Sequence, residues 1–225
     1  MDDQTDVSGE PTHPANPPTQ AELDALLLFW FGSTGPALDS GFRAEWFRKD
    51  QAFDDTLRAH FGTLAERALR EPDAFLAWRD ARGVLGQLLL LDQLSRNLFR
   101  GSPRAFEADP RARELAREAL SRGLDRDVAL VARTFFYLPF EHSEDPADQR
   151  LSVSLFERLV EDTRAAHEAG QCSAQLLGDL VMAHTYAKKH EEVIAEFGRF
   201  PHRNAALGRV STPEESAWLA AGGGF

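Results

Sequence analysis

The sequence predicts an all-α protein: a single helical domain of antiparallel helix pairs, without a regular sequence repeat. Three observations carry that expectation. Apolar residues recur at three- and four-residue spacing through most of residues 20–225. No stretch alternates apolar and polar residues as a half-buried strand would, and capping and breaking residues fall at the ends of the periodic runs.

Thr19 followed by Glu22 reads as a capping box, and Leu23, Leu26, Leu27 and Trp30 form the apolar stripe of the helix it opens, which Gly32 stops. A second run from about Asp50 to Leu69 carries Phe53, Leu57, Phe61, Leu64, Ala65 and Leu69. Pro72 and Asp73 open a third, with Phe75, Leu76 and Trp78. Val84 to Phe99 is apolar on two faces, the mark of a central helix. Pro110 begins the next, which ends at Gly123. Another spans Arg126 to Tyr137 and stops ahead of Pro139, because the residue before a proline is pushed out of the helical region. Two long helices, about Pro146 to Glu168 and Ser173 to Phe197, and a short one from Pro213 with Trp218 and Leu219 complete the body. The short connections imply antiparallel neighbours.

At 225 residues and 25.0 kDa, the chain is long enough for one large core without staples. Residues 1–19 hold four of the twelve prolines and only Val7 as an aliphatic side chain larger than alanine, so they read as a disordered arm ahead of a domain at 20–225. A lone cysteine, Cys172, excludes an internal disulfide and fits a reducing, cytoplasmic compartment. No run of 18 apolar residues and no basic, apolar leader is present, so neither a membrane span nor a secretory signal is expected. The charge of −11 disfavours nucleic acid as a partner. Walker, dinucleotide-binding, nucleophile-elbow and zincin signatures are missing; no cofactor is indicated, and no metal site has a spacing signature.

Three segments depart from the pattern of apolar core and solvated face. In Leu91–Gly101, Asp92, Arg96 and Arg100 are four apart and fall on one helical stripe, with Gln93 and Asn97 beside it. The bland account is an exposed ion pair worth about 0.3–0.5 kcal/mol. In Phe135–Gln149, two prolines bracket Glu141, His142, Glu144 and Asp145, with Asp148 just beyond. Helix-end charge accounts for Glu144, Asp145 and Asp148, but not for Glu141 and His142. In His190–Arg209, Gly198 ends a helix, and Arg199, His202, Arg203, Asn204 and Arg209 follow with no acid among them. His190 shares the core-side stripe of Tyr186, Ile194 and Phe197. Arginine forks match carboxylate and phosphate geometry.

The same segments resemble the bacterial family known as domain of unknown function 924. The resemblance rests on Leu28-Phe29-Trp30-Phe31-Gly32, Trp46-Phe47, Leu91-Asp92-Gln93 with Arg96-Asn97, and Tyr137-Leu138-Pro139 with Glu141-His142-Ser143-Glu144. It continues through Phe197–Asn204, Leu207-Gly208-Arg209 and Ser211–Glu215. Leu94-Ser95 replaces the family's usual Phe-Pro. The resemblance implies an all-helical, tetratricopeptide-like fold and says little about activity.

Two readings of function stand side by side. In the first, the three segments converge on a pocket for a small anionic ligand. Arg96, Arg199, Arg203 and Arg209 hold the anion, with Asp92 and His202 in the same constellation; Asn97 and Asn204 orient it, and Glu141 with His142 supplies acid/base capacity. In the second, the protein is a non-enzymatic helical module for a peptide or protein partner, with Trp46, Trp78 and Trp218 as candidate anchors. In that case the acidic loop 141–148 and basic loop 199–209 do no more than pin helix ends together.

Overall fold

Capping and burial explain where each helix lies. A computed structural model describes residues 17–32 and 41–225. Most of the expected arm, residues 1–16, lies outside them. Helix α1 (Gln20–Phe31) opens on the expected box: the Thr19 hydroxyl accepts from the Glu22 amide at 3.2 Å, and the Glu22 carboxylate accepts from the Thr19 amide at 2.6 Å. Gly32, at φ 73°, closes it. Asp50 caps α2 (Gln51–Arg70), and Asp80 caps α3 (Ala81–Leu88). The latter continues through a π-helical turn, Leu89–Leu94, into α4 (Ser95–Leu98). Then come α5 (Asp109–Ser121), α6 (Leu130–Glu141), α7 (Pro146–Glu168), α8 (Ala174–Phe197) and α9 (Pro213–Ala220). No strand occurs among the described residues, and the protein is all-α.

The central stretch is the floor of the core. Leu88 to Leu91 and Leu94 are fully buried, each such side chain contributing about 1.5–3 kcal/mol of transfer free energy. The π turn inserts one residue into the helical winding, and the Ser95 hydroxyl donates to the Leu90 carbonyl at 3.2 Å within it. Above this floor, α1 lays Trp30 and Phe31 against Trp46 and Phe135 at centroid separations of 5.5–5.8 Å. Trp46 and Trp78 are therefore core residues, 5% and 4% exposed. Neither is available as the anchor that the partner-binding reading needs. Trp218 is half-buried against Phe197.

Two expectations are corrected. Helix α6 starts later than expected and runs through Pro139 to Glu141. Proline costs one hydrogen bond near the end of the helix, but every residue from Thr134 to Glu141 is buried, and that packing holds the helical path. Gln149, from α7, then donates to the carbonyls of Glu141 (2.7 Å) and Ser143 (2.5 Å), which supplies the loose end with partners. The second correction concerns Asp92, Arg96 and Arg100. Asp92 and Arg96 keep the expected contact at 3.6 Å, but the π turn and the end of α4 give each of the three its main partner on a different element, as described below.

Candidate functional site

The end of α6 meets the π turn. His142, the residue that closes α6, places Nδ1 2.7 Å from a carboxylate oxygen of buried Asp92, and Gln93 donates to the other oxygen at 2.6 Å. Burial would raise the Asp92 carboxyl, but the charge and hydrogen bond of His142, with help from Arg96 and Gln93, outweigh it and hold the group at about 2. A carboxylate on Nδ1 fixes the ring, and Nε2 makes no hydrogen bond among the described residues. The Ser143 hydroxyl donates to Asp148 at 2.8 Å, and Asp145 caps α7, so the segment that follows His142 is tied down.

Opposite stands an arginine with little to hold. Asp109, at the start of α5, receives both Arg96 amino groups at 2.7 and 2.9 Å. Arg203, on the 3₁₀ turn Pro201–Arg203, reaches the same carboxylate at only 3.6 Å. Its guanidinium makes no hydrogen bond among the described residues, and Nε is buried without a partner. The rings of Phe106 and Phe200 lie 4.8 and 4.4 Å from it and hold its plane. Burial, with the nearby positive charge of Arg96, pulls it down to about 10. His142, Arg203, Arg113, Glu144, Phe106 and Asp109 line a hollow of about 670 Å³. A second hollow, of about 390 Å³ against Arg58 and Phe99, contains no such unpartnered cation.

Behind the hollow lies a buried acid. Glu141 places one oxygen 3.1 Å from Nδ1 of His190, which also contacts the Tyr186 carbonyl at 2.8 Å; the other Glu141 oxygen has no partner. Burial, then the Asp92 charge, pushes this carboxyl up to about 8. Burial lowers His190 to about 3, so both shifts favour the uncharged pair. His202 sits beside it, its Nδ1 unpartnered, and burial followed by the Arg203 charge lowers it to about 4.

Of the residues expected in the site, His142 and Arg203 line the hollow; Asp92, Arg96, Glu141 and His202 stand behind it. Four do not join them. Asn97 donates to Asp54 at 2.7 Å. Arg199 forks onto Glu215 at 2.6 and 2.8 Å, with Asn204 on the same carboxylate at 3.1 Å. Arg209 forks onto Glu144 at 2.8 and 3.0 Å, and the Phe200 amide donates to the same carboxylate at 2.8 Å, so Glu144 ties the acidic loop to the basic one. Sequence reasoning missed Phe106, Asp109 and Arg113. The available signal was the spacing of Asp109 and Arg113, which puts an acid and a base on one face of the first turn of α5.

Fold and site together define an all-helical protein with an arginine and an imidazole–carboxylate pair on one hollow. The chain matches the family described as bacterial protein of unknown function, DUF924, over residues 26–223, and it belongs to that family. The solved structure of a protein of unknown function from Agrobacterium tumefaciens is similar: 35% identical, with a TM-score of 0.69, covering 90% of this chain and 99% of that one. No curated protein matches the chain. No described helix is long and apolar enough to cross a membrane.

Proposed function

We propose that the hollow binds a small anionic molecule of the phosphate or carboxylate class at Arg203, and that His142 exchanges a proton with the bound molecule. The observation that carries this reading is the buried Arg203 guanidinium, which has no hydrogen-bond acceptor and shares its nearest carboxylate with Arg96. A buried polar group without a partner costs free energy, and a bound oxyanion supplies the acceptors. Phe106 and Phe200 fix the fork in advance, so little side-chain freedom is lost on binding. Arg113, paired with Asp148 at 3.4 Å, lies on the same wall. The Asp92–His142 pair is the arrangement a general base needs: one ring nitrogen held by a carboxylate and the other open.

Titration calorimetry and melting curves with inorganic phosphate, sulfate and acetate test the reading. At 100 times its dissociation constant, a ligand adds about 2.7 kcal/mol of stability. Arg203→Lys keeps the charge but loses the planar fork, and should weaken the best of these anions about tenfold or more. Arg209→Lys, on the occupied Glu144 pair, should change it less than about twofold. In His142→Asn, the heat of binding should cease to depend on the ionisation enthalpy of the buffer. Anion affinity untouched by Arg203→Lys overturns the proposal, as does the absence of any anion response from the folded protein.

A further inference from the structure

An aromatic ring sits on a polar floor at the edge of this site. Phe225 is 45% exposed, yet its ring lies face to face on the His190 imidazole, with centroids 3.6 Å apart and planes 15° from parallel. Phe200 and His202 meet it edge-on at 6.3 and 5.8 Å. Below His190 is the Glu141 carboxyl with its unpartnered oxygen. A ring that completes a core is buried and rests on apolar neighbours. Phe225 is half in solvent and rests on an imidazole.

The path that delivers this ring is built by glycines. Gly222 and Gly224 have φ of 88° and 128°, which side-chain-bearing residues rarely adopt. At Gly223 a β-carbon would come within 2.3 Å of the Trp218 indole, and the Gly223 amide donates to the Trp218 carbonyl at 2.9 Å. Glycine reaches these angles freely, and the turn so formed brings Phe225 back onto His190.

We propose that the face of His190 is a binding slot for a planar ring, and that Phe225 is its removable occupant. The slot adjoins the hollow twice. The His142 ring, on the hollow's wall, is 6.3 Å from His190, and Phe200 contacts both His190 (5.5 Å) and the Arg203 guanidinium. A molecule with an aromatic ring next to its anionic group, an aryl phosphate or aryl carboxylate, spans both. That last step rests on the anion-binding reading; the slot does not. Burial keeps His190 uncharged, so it presents a ring face and not a cation.

The test uses the full chain as wild type, Phe225→Ala and Phe225→Leu, with three probes: benzyl alcohol, inorganic phosphate and phenyl phosphate. Binding is followed through the histidine ring signals by NMR. Removing the resident ring should tighten benzyl alcohol about two- to tenfold, the weight of an aromatic pair. The preference for phenyl phosphate over phosphate should rise by the same factor, with phosphate itself unchanged. Equal benzyl alcohol affinity in all three proteins overturns the slot and leaves Phe225 as packing. Phe225→Leu, which keeps apolar volume, decides the matter in the same way if Phe225→Ala does not fold. A benzyl alcohol response without any phosphate binding supports the slot and removes the anion site beside it.

Discussion

Two polar constellations hang from the same central helix, and they differ in how completely they are satisfied. On the α2 side, buried Asp54 receives Asn97 at 2.7 Å and both ends of the Arg100 fork at 3.0 and 3.1 Å. Each carboxylate oxygen is partnered, and Arg100 keeps one flank in solvent. On the α6 side, Asp92 and His142 are paired, but Arg203 is buried without a hydrogen bond and Glu141 keeps a bare oxygen. Both are built on a buried aspartate with an arginine close by, so that pairing alone does not separate them. Accounting for donors and acceptors does: the first constellation is satisfied within the protein, and the second keeps a donor and an acceptor without partners.

The contrast breaks most readily at Asp54. Asp54→Ala strands a buried amide and a guanidinium together and should cost about 3–4 kcal/mol in chemical denaturation, with anion affinity unchanged. A loss of anion binding in the still-folded variant would mean that the two constellations are coupled. Glu141→Gln sharpens the other side. Below about pH 4.5 the Glu141 carboxyl is neutral in both folded and unfolded chains. As pH rises toward 8, the unfolded chain releases its proton while the folded chain keeps it, so the contribution of Glu141 to stability falls across that window. The glutamine variant should lack this fall and melt above wild type at pH 8; parallel melting profiles would place Glu141 in a more polar setting than its burial implies. The smallest effect belongs to Arg209→Ala. Its pair with Glu144 is a quarter to a third exposed on each side, and about 0.5–1 kcal/mol should be lost. A larger loss would make the loop-to-loop tie a main support of the site.

Local chemistry made much of this readable in the sequence. The box at Thr19 and Glu22, and the stop at Gly198, are three- and four-residue signals, and both are present. The dense segments around His142 and Arg203 fall on loops that meet at the hollow, and they stand out in the sequence because arginine and histidine among apolar residues demand partners. What stayed hidden depends on residues distant in the chain. Pro139 remains helical because of burial, and the end of α6 is held by Gln149 from the next helix. Arg199 and Asn204 look like ligand-binding groups until Glu215 occupies them. Asp109 reads as an ordinary helix start until Arg96 and Arg203 converge on it from two other elements.

The turn Leu89–Leu94 also bears on how this gene tolerates change. Its residues are leucines around an Asp-Gln pair, and exchanging one leucine for another apolar side chain of equal size alters little. Losing a single leucine codon there would be absorbed in a way that the same loss elsewhere would not. The turn already holds one residue more than α-helical winding needs, so the shortened chain can close into ordinary α-helix with Arg96 and Arg100 still facing their partners. A deletion in the regular helix to either side would rotate every side chain beyond it by about 100° about the helix axis. Along these six residues, the count is as forgiving as the spelling.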